Sequence, residues 1–180
     1  MSRLEREGLI PVDEGPGLRR RVGRKAPRGI VALVAAWLGA VLFFGLAVAP
    51  SVFAVLARQA DAGALVGRLL PILFISGFVV GVMLLFAAAR LDSAARVVRR
   101  ALGGAGLVMV VCCGLAQGWV APELARIRTA AGALETRPPD DPLRRAFGRL
   151  HGMSVLLLGI AWLGGATAVV VSAFVPGRRS

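Results

Sequence analysis

Over 180 residues the chain is 57% apolar and only 18% charged, and its mean hydropathy of +0.73 lies well outside the range of water-soluble domains. Its 22 Lys and Arg against 10 Asp and Glu leave a net charge of +12. A greasy chain that is also strongly basic is reconciled by insertion into a membrane, and a single soluble domain is excluded.

The chain opens on a polar tail, residues 1–28, punctuated by Pro and Gly and ending in Arg19, Arg20, Arg21, Arg24, Lys25 and Arg28. Such a segment reads as disordered or surface-bound, attracted to anionic lipid or serving only as a topology signal. It lacks the interleaved aromatics of a nucleic-acid site, so no nucleic-acid partner is expected.

Four runs then carry no Asp, Glu, Lys, Arg or His: 29–57, 69–89, 101–122 and 152–177. A helix of a soluble bundle shows charge on its outer face at nearly every turn, whereas these runs are apolar all round. The shortest, 69–89, rises about 31 Å as a helix, against a hydrocarbon core of about 30 Å. An Arg at the bilayer centre costs about 2.5 to 3.5 kcal/mol, which is why Arg68, Arg90 and Arg100 mark membrane edges. The fold expected is therefore all-α, an integral membrane four-helix bundle over 29–177. Its spans lie near 30–50, 69–89, 101–121 and 152–175, with a short amphipathic segment in the third connection and a basic end at 178–180.

The first run is too long for one straight crossing, and Pro50 near its end lacks the amide of the helix ladder, so a kink or gating hinge is expected there. Ala47-Val48-Ala49 imitates a signal-peptide cleavage site. Pro50 in the first mature position argues against it, and so does an apolar stretch longer than a signal core, so the segment is expected to stay attached. Asp61-Ala62-Gly63 reads as the turn into the second span, with Asp61 as N-cap. Asp92 and Arg96 stand four apart and could pair on a helical surface.

In the third connection Leu124, Ile127, Ala131 and Leu134 recur at helical spacing after Pro122, as in an interfacial amphipathic helix. Pro138-Pro139 ends it. Asp141-Pro142 then reads as N-cap plus first-turn proline of a helix running directly into the fourth span. Leu143, Phe147, Leu150 and Ser154 form a stripe on that helix, with His151 beside it at the membrane boundary.

Lys and Arg number eight in the tail, four in the second connection and two at the C-terminal end. On the opposite side they number two and six. The richer side should be cytoplasmic, giving a multi-pass protein of a bacterial inner membrane with both termini inside.

Several stretches in order resemble the transmembrane protein 205-like family, whose bacterial members form the domain of unknown function 4149. They are Trp37-Leu38-Gly39-Ala40-Val41-Leu42-Phe43-Phe44 with Val48-Ala49-Pro50-Ser51-Val52-Phe53, and Ala62-Gly63. Val120-Ala121-Pro122 with Arg128 follows, then Phe147-Gly148-Arg149-Leu150-His151-Gly152-Met153-Ser154. The similarity spans about residues 30–175 and leaves out the basic tail. It implies a four-helix membrane protein without an established activity. The family's eukaryotic relatives are associated with tolerance to metal-containing drugs, which makes export or sequestration a lead.

Three polar residues are candidates for function. His151, the only histidine, could make a structural cap or interhelical hydrogen bond, carry a proton or ligate an ion. A haem would need a second ligand from another chain. Gln117 is the only amide well inside an apolar run, where it should seek an interhelical partner, and Ser154 faces the same interface. Gly77 with Gly81, and Gly114 with Gly118, have the four-residue spacing that lets helix backbones approach, within one chain or between copies.

Cys112 and Cys113 are neighbours that act as small apolar packers. With Met153 they could at most offer soft ligands to copper(I), so no metal and no cofactor is expected. Trp119 fits an interfacial anchor, and Trp37 and Trp162 should pack more deeply. No phosphate loop, zinc motif or paired intramembrane carboxylate is present, so an enzyme is disfavoured. The expected role is a non-enzymatic helix-packing or interaction module, with a homo-oligomer or another membrane protein as partner besides the bilayer. The alternative is a transporter or channel subunit for a small solute or metal ion using His151, Ser154 and Gln117. A haem or redox subunit comes third.

Overall fold

The computed structural model describes residues 28–91, 96–132 and 134–174. Residues 1–27 of the basic tail, the Asp92 side of the Asp92–Arg96 pair and the end at 178–180 lie outside the described residues. Four long helical rods carry the architecture. The first is α1 (Arg28–Phe43), a wide π-turn (Phe44–Val48) and α2 (Ala49–Val55). The second is α3 (Gln59–Ala89). The third joins α4 (Arg96–Leu115) through a second π-turn (Ala116–Val120) to α5 (Ala121–Ala131). After a short 3-10 turn (Leu134–Thr136), α6 (Pro142–Phe174) is the fourth.

The last three rods are longer than their apolar runs. At 1.5 Å per residue, the 31, 36 and 33 residues of the last three span about 46 to 54 Å, well beyond a hydrocarbon core of about 30 Å. Each helix therefore projects into the polar interface, and the charged residues at its ends stay wet.

Large apolar side chains cover the outside, and inside, small ones share the core with Trp37, Phe74, Leu84, Leu102 and Met109. Leu46, Ile72, Phe86, Leu156, Leu163 and Phe174 are exposed, while Ala62, Ala105, Ala161 and Ala168 are buried. Water would drive the opposite sorting. In lipid the outer face needs only to be apolar, and the inner one must let backbones approach closely. The chain is accordingly a four-helix membrane bundle.

The tightest approach is between α3 and α4. A Cβ added to Gly106 would lie 2.8 Å from the Gly81 carbonyl oxygen, and one added to Gly81 would lie 2.9 Å from Met109 Cβ. Trp37 is buried and donates from α1 to the Leu73 carbonyl of α3 at 3.1 Å, and Trp162 of α6 donates to the Leu38 carbonyl of α1 at 3.2 Å. In hydrocarbon an indole N–H has no water to bond, so these two bonds tie α1 to both neighbours. Cys112 and Cys113 are buried free thiols.

Neither proline of the Val-Ala-Pro triplets ends its helix. Before Pro50 the Ala49 amide reaches back to Phe44 O, and before Pro122 the Ala121 amide reaches back to Ala116 O, each one residue further than in an α-helix. The extra residue makes room for the proline ring while the rod continues. The amphipathic segment is thus a direct extension of the third span, not a separate helix starting at Pro122. It stops at Ala131, where Gly132 takes φ +66, so Leu134 is not part of it.

The turn before α3 also differs from expectation. Leu56 and Arg58 are extended and Gln59 is already helical, so Arg58 occupies the N-cap position. Asp61 lies in the first turn, where its carboxylate accepts from Arg58 Nε at 2.9 Å. Asp141 does cap α6, its Oδ1 accepting from the Leu143 amide at 2.8 Å and the Arg144 amide at 3.2 Å. Arg137 braces this cap with Nη1 on Asp141 Oδ2 at 2.9 Å, and its Nε closes the end of α5 at Ala131 O.

Candidate functional site

On the side of the bundle where α3 begins, the third rod ends and α6 begins, the three rods part around a cavity of about 340 Å³. From α3 it is lined by Val66, Gly67, Leu70, Pro71 and Phe74. The second π-turn contributes Ala116 and Gln117, and α5 contributes Ala121, Pro122, Leu124, Ala125 and Arg128. His151 and Ser154 close it from α6. The apolar runs begin or end at 69, 122 and 152, so the cavity straddles the membrane boundary. Arg128 and His151 lie at the wet end, and Gln117, Phe74 and Ser154 at the oily end.

Helix irregularities concentrate polar backbone at this place. Pro71 has no amide to give to the Gly67 carbonyl, its regular acceptor four residues earlier. The regular donor of the Gln117 carbonyl, the Ala121 amide, is used by Ala116 O, and Pro122 supplies none. All six of these residues stand on the cavity wall. The Gln117 side chain adds to this, because its Oε1 is buried without a hydrogen-bond partner among the described residues. In so apolar a setting an unpaired acceptor is costly, and such atoms usually mark a missing partner.

Ser154 is 2% exposed and donates to the His151 carbonyl at 2.7 Å. That bond uses its single proton and leaves its lone pairs available as acceptors. His151 stacks parallel on Phe147, with ring centroids 6.2 Å apart. Arg128 lies over the same Phe147 ring, its guanidinium carbon 5.1 Å from the centroid, and donates through Nη2 to the Gly63 carbonyl of α3 at 3.1 Å.

The three polar candidates, His151, Ser154 and Gln117, thus line one cavity. Arg128 and Gly67 also line it, and Phe147 and Gly63 hold the Arg128 side chain, parts that the sequence alone did not assign. The signal for Gly63 and Gly67 was their four-residue spacing, the one recognised at Gly77 and Gly81.

The remaining named residues lie elsewhere. Gly77 receives Trp37 and Cys113, and Gly81 receives Met109 and Gly106, all within the chain. Gly114 makes an ordinary contact with Phe78, and Gly118 has nothing within 4 Å. Pro50 follows the first π-turn, in which no residue is buried. Among the described residues no group of three His, Cys, Asp or Glu gathers to hold a metal.

A family model described as "Domain of unknown function (DUF4149)" matches residues 32–133, more than half of the chain, which therefore belongs to that family. No curated relative and no solved structure matches.

Proposed function

We propose that this member of the DUF4149 family is a non-enzymatic membrane protein that holds a small polar solute in the cavity between α3, α5 and α6, as the binding subunit of a transporter. One observation carries the reading: Gln117 of the third rod and His151 and Ser154 of α6 converge on a single cavity at the membrane boundary, and one of these lining residues, Gln117, carries a buried acceptor without a partner among the described residues. Cavities of roughly 300 to 1,000 Å³ with an apolar wall and a few polar points are what small ligands occupy. Four spans are too few to enclose a full pathway, so passage across the bilayer calls for further copies or a partner protein.

The rest of the assignment belongs to the same proposal. The excess of Lys and Arg in the tail and second connection supports a bacterial inner-membrane location with both termini cytoplasmic. The cavity then opens toward the outer side. The basic tail holds anionic lipid. Kinship with the transmembrane protein 205-like proteins rests on the Val-Ala-Pro and Phe147–Ser154 stretches, and makes export or sequestration of a stressor the corresponding physiology.

The test is native mass spectrometry of the protein purified in mild detergent. A bound small molecule retained by the parent and lost from Gln117→Leu supports the reading. A parent that carries nothing, and takes up nothing from a panel of small polar solutes, refutes it.

A second reading, an interaction module, is favoured by a specific feature of α6. Gly148, Gly152 and Gly159 meet nothing within 4 Å, and all three are exposed, leaving a face on which another helix could pack closely. Gly152→Cys should crosslink between copies in native membranes, and a purely monomeric pattern sinks this reading.

A further inference from the structure

We infer that the solute held by this cavity bears an oxyanion, a carboxylate or phosphate group, and that the guanidinium of Arg128 is its receptor. The inference rests on the solute-binding reading above and adds the chemical class of the ligand.

Arg128 is half-buried, and a cation drawn away from water calls for a counter-charge. Among the described residues the ion pairs are Arg58–Asp61, Arg126–Glu123 and Arg137–Asp141, none of which involves it. Of its five N–H donors, one bonds to the Gly63 carbonyl. An exposed arginine on an amphipathic helix would turn outward to water, but this one lies across α3 in a seat built for it. Gly63 and Gly67 leave a notch, and a Cβ on Gly67 would collide with Arg128 Nη1. Phe147 forms the other wall of the seat. Arg128 stands on the cavity wall, and a guanidinium is a planar fork of donors, the geometry that carboxylates and phosphates accept in pairs.

The far end of the cavity has the opposite character. The Gln117 Oε1 and the lone pairs of Ser154 Oγ are acceptors, so they call for a hydrogen-bond donor on the ligand. Between the two ends lie Leu70 and Ala121. Arg128 and Gln117 are 11 residues apart in the sequence, or about 16 Å along a helix. The Arg128 side chain reaches back over part of that distance, because helical side chains lean toward the N-terminus. The complementary molecule is a short acid with a hydroxyl or amine at its other end. A free organic acid and the headgroup of an anionic phospholipid both have this chemistry.

The probe is 6-hydroxyhexanoate, compared with its uncharged counterpart 1,6-hexanediol, on the full chain in phosphatidylcholine nanodiscs. Binding is read by native mass spectrometry and by perturbation of the His151 resonances. The acid is expected to bind at least about tenfold more tightly than the diol, as a charge-assisted hydrogen bond allows. Arg128→Gln should abolish the preference, and Arg128→Lys should retain part of it. Helix content and gel-filtration behaviour show that each variant is folded.

If the source is lipid, phosphatidylglycerol in mixed nanodiscs is retained selectively by the parent and not by Arg128→Gln, and it displaces the acid. A diol that binds as well as the acid, dependent on Gln117, overturns the oxyanion inference and leaves the solute-binding reading standing. If acid, diol and phosphatidylglycerol all fail to bind, both fall.

Discussion

Gly67 of α3 is the residue that lets Arg128 of α5 lie flat against the bundle, since any Cβ there would occupy the position of Arg128 Nη1. The neighbour in question is the free end of a flexible side chain, so Gly67→Ala displaces the guanidinium without forcing the helices apart. Alanine gains about 1 kcal/mol over glycine inside a helix, roughly offsetting the lost bond to Gly63. Thermal unfolding should therefore change little, while the stack of Arg128 on Phe147 is lost. His151 is the only histidine and stacks on that ring, so its imidazole resonances should shift. Unchanged resonances would contradict this coupling.

The α3–α4 contact should respond in the opposite way. At Gly106 an added Cβ meets the Gly81 carbonyl at 2.8 Å and the Leu85 amide nitrogen at 3.0 Å, both backbone atoms that cannot step aside. Gly106→Ala should cost about 1 to 3 kcal/mol, as overpacking does, and Gly106→Leu or Gly81→Leu should prevent assembly of the bundle. Gly118 has open space around it, so Gly118→Ala should be neutral or slightly stabilising. Equilibrium unfolding in mixed micelles measures all four. Equal behaviour of Gly106→Ala and Gly118→Ala would remove the contact as a source of stability.

The number of spans and their apolar solvent were legible because they follow from charge-free length alone, and the Asp141-Pro142 start of α6 because its cap is local. Two other features were not. Pro122 reads as a helix breaker by its chemistry, yet a break there would strand several backbone groups near the hydrocarbon, whereas a π-turn shifts the ladder by one residue and strands fewer. The same Val-Ala-Pro triplet follows the same wide turn at Pro50, so the repetition itself was the available signal. The position of Arg128 depends on Gly63 and Phe147, 65 and 19 residues away in the sequence. No local pattern reports such a contact, which exists only once three rods are packed.

The cap of α6 should respond to acid. The bond from the Arg137 guanidinium holds the Asp141 carboxyl below the ordinary aspartate range, opposed by desolvation and helped by the amides of Arg144 and Leu143. A lowered folded-state pKa means that the stabilisation is present in full above the ordinary aspartate value of about 4 and is lost as pH falls through the lowered one. Amide exchange at Leu143 and Arg144, corrected for intrinsic rates, should show protection falling in that acid window and constant from there to neutrality. Asp141→Asn keeps a capping oxygen but has no proton to gain, so its protection should be flat with pH. A parent that is equally flat would mean that the Arg137 pair does not stabilise the cap.

The unpaired oxygen of Gln117 sets up a trade between stability and binding. A buried acceptor without a partner costs about 1 to 3 kcal/mol, and leucine at the same place, in an apolar span, has no such cost. Gln117→Leu should therefore stabilise the empty protein by up to that amount in equilibrium unfolding, while removing solute binding. Residues kept for function against stability have this signature. A destabilised Gln117→Leu would mean that the amide already serves the bundle through its Nε2 group. The glutamine would then be a bond between helices, and the inner end of the cavity would have no claim to a ligand.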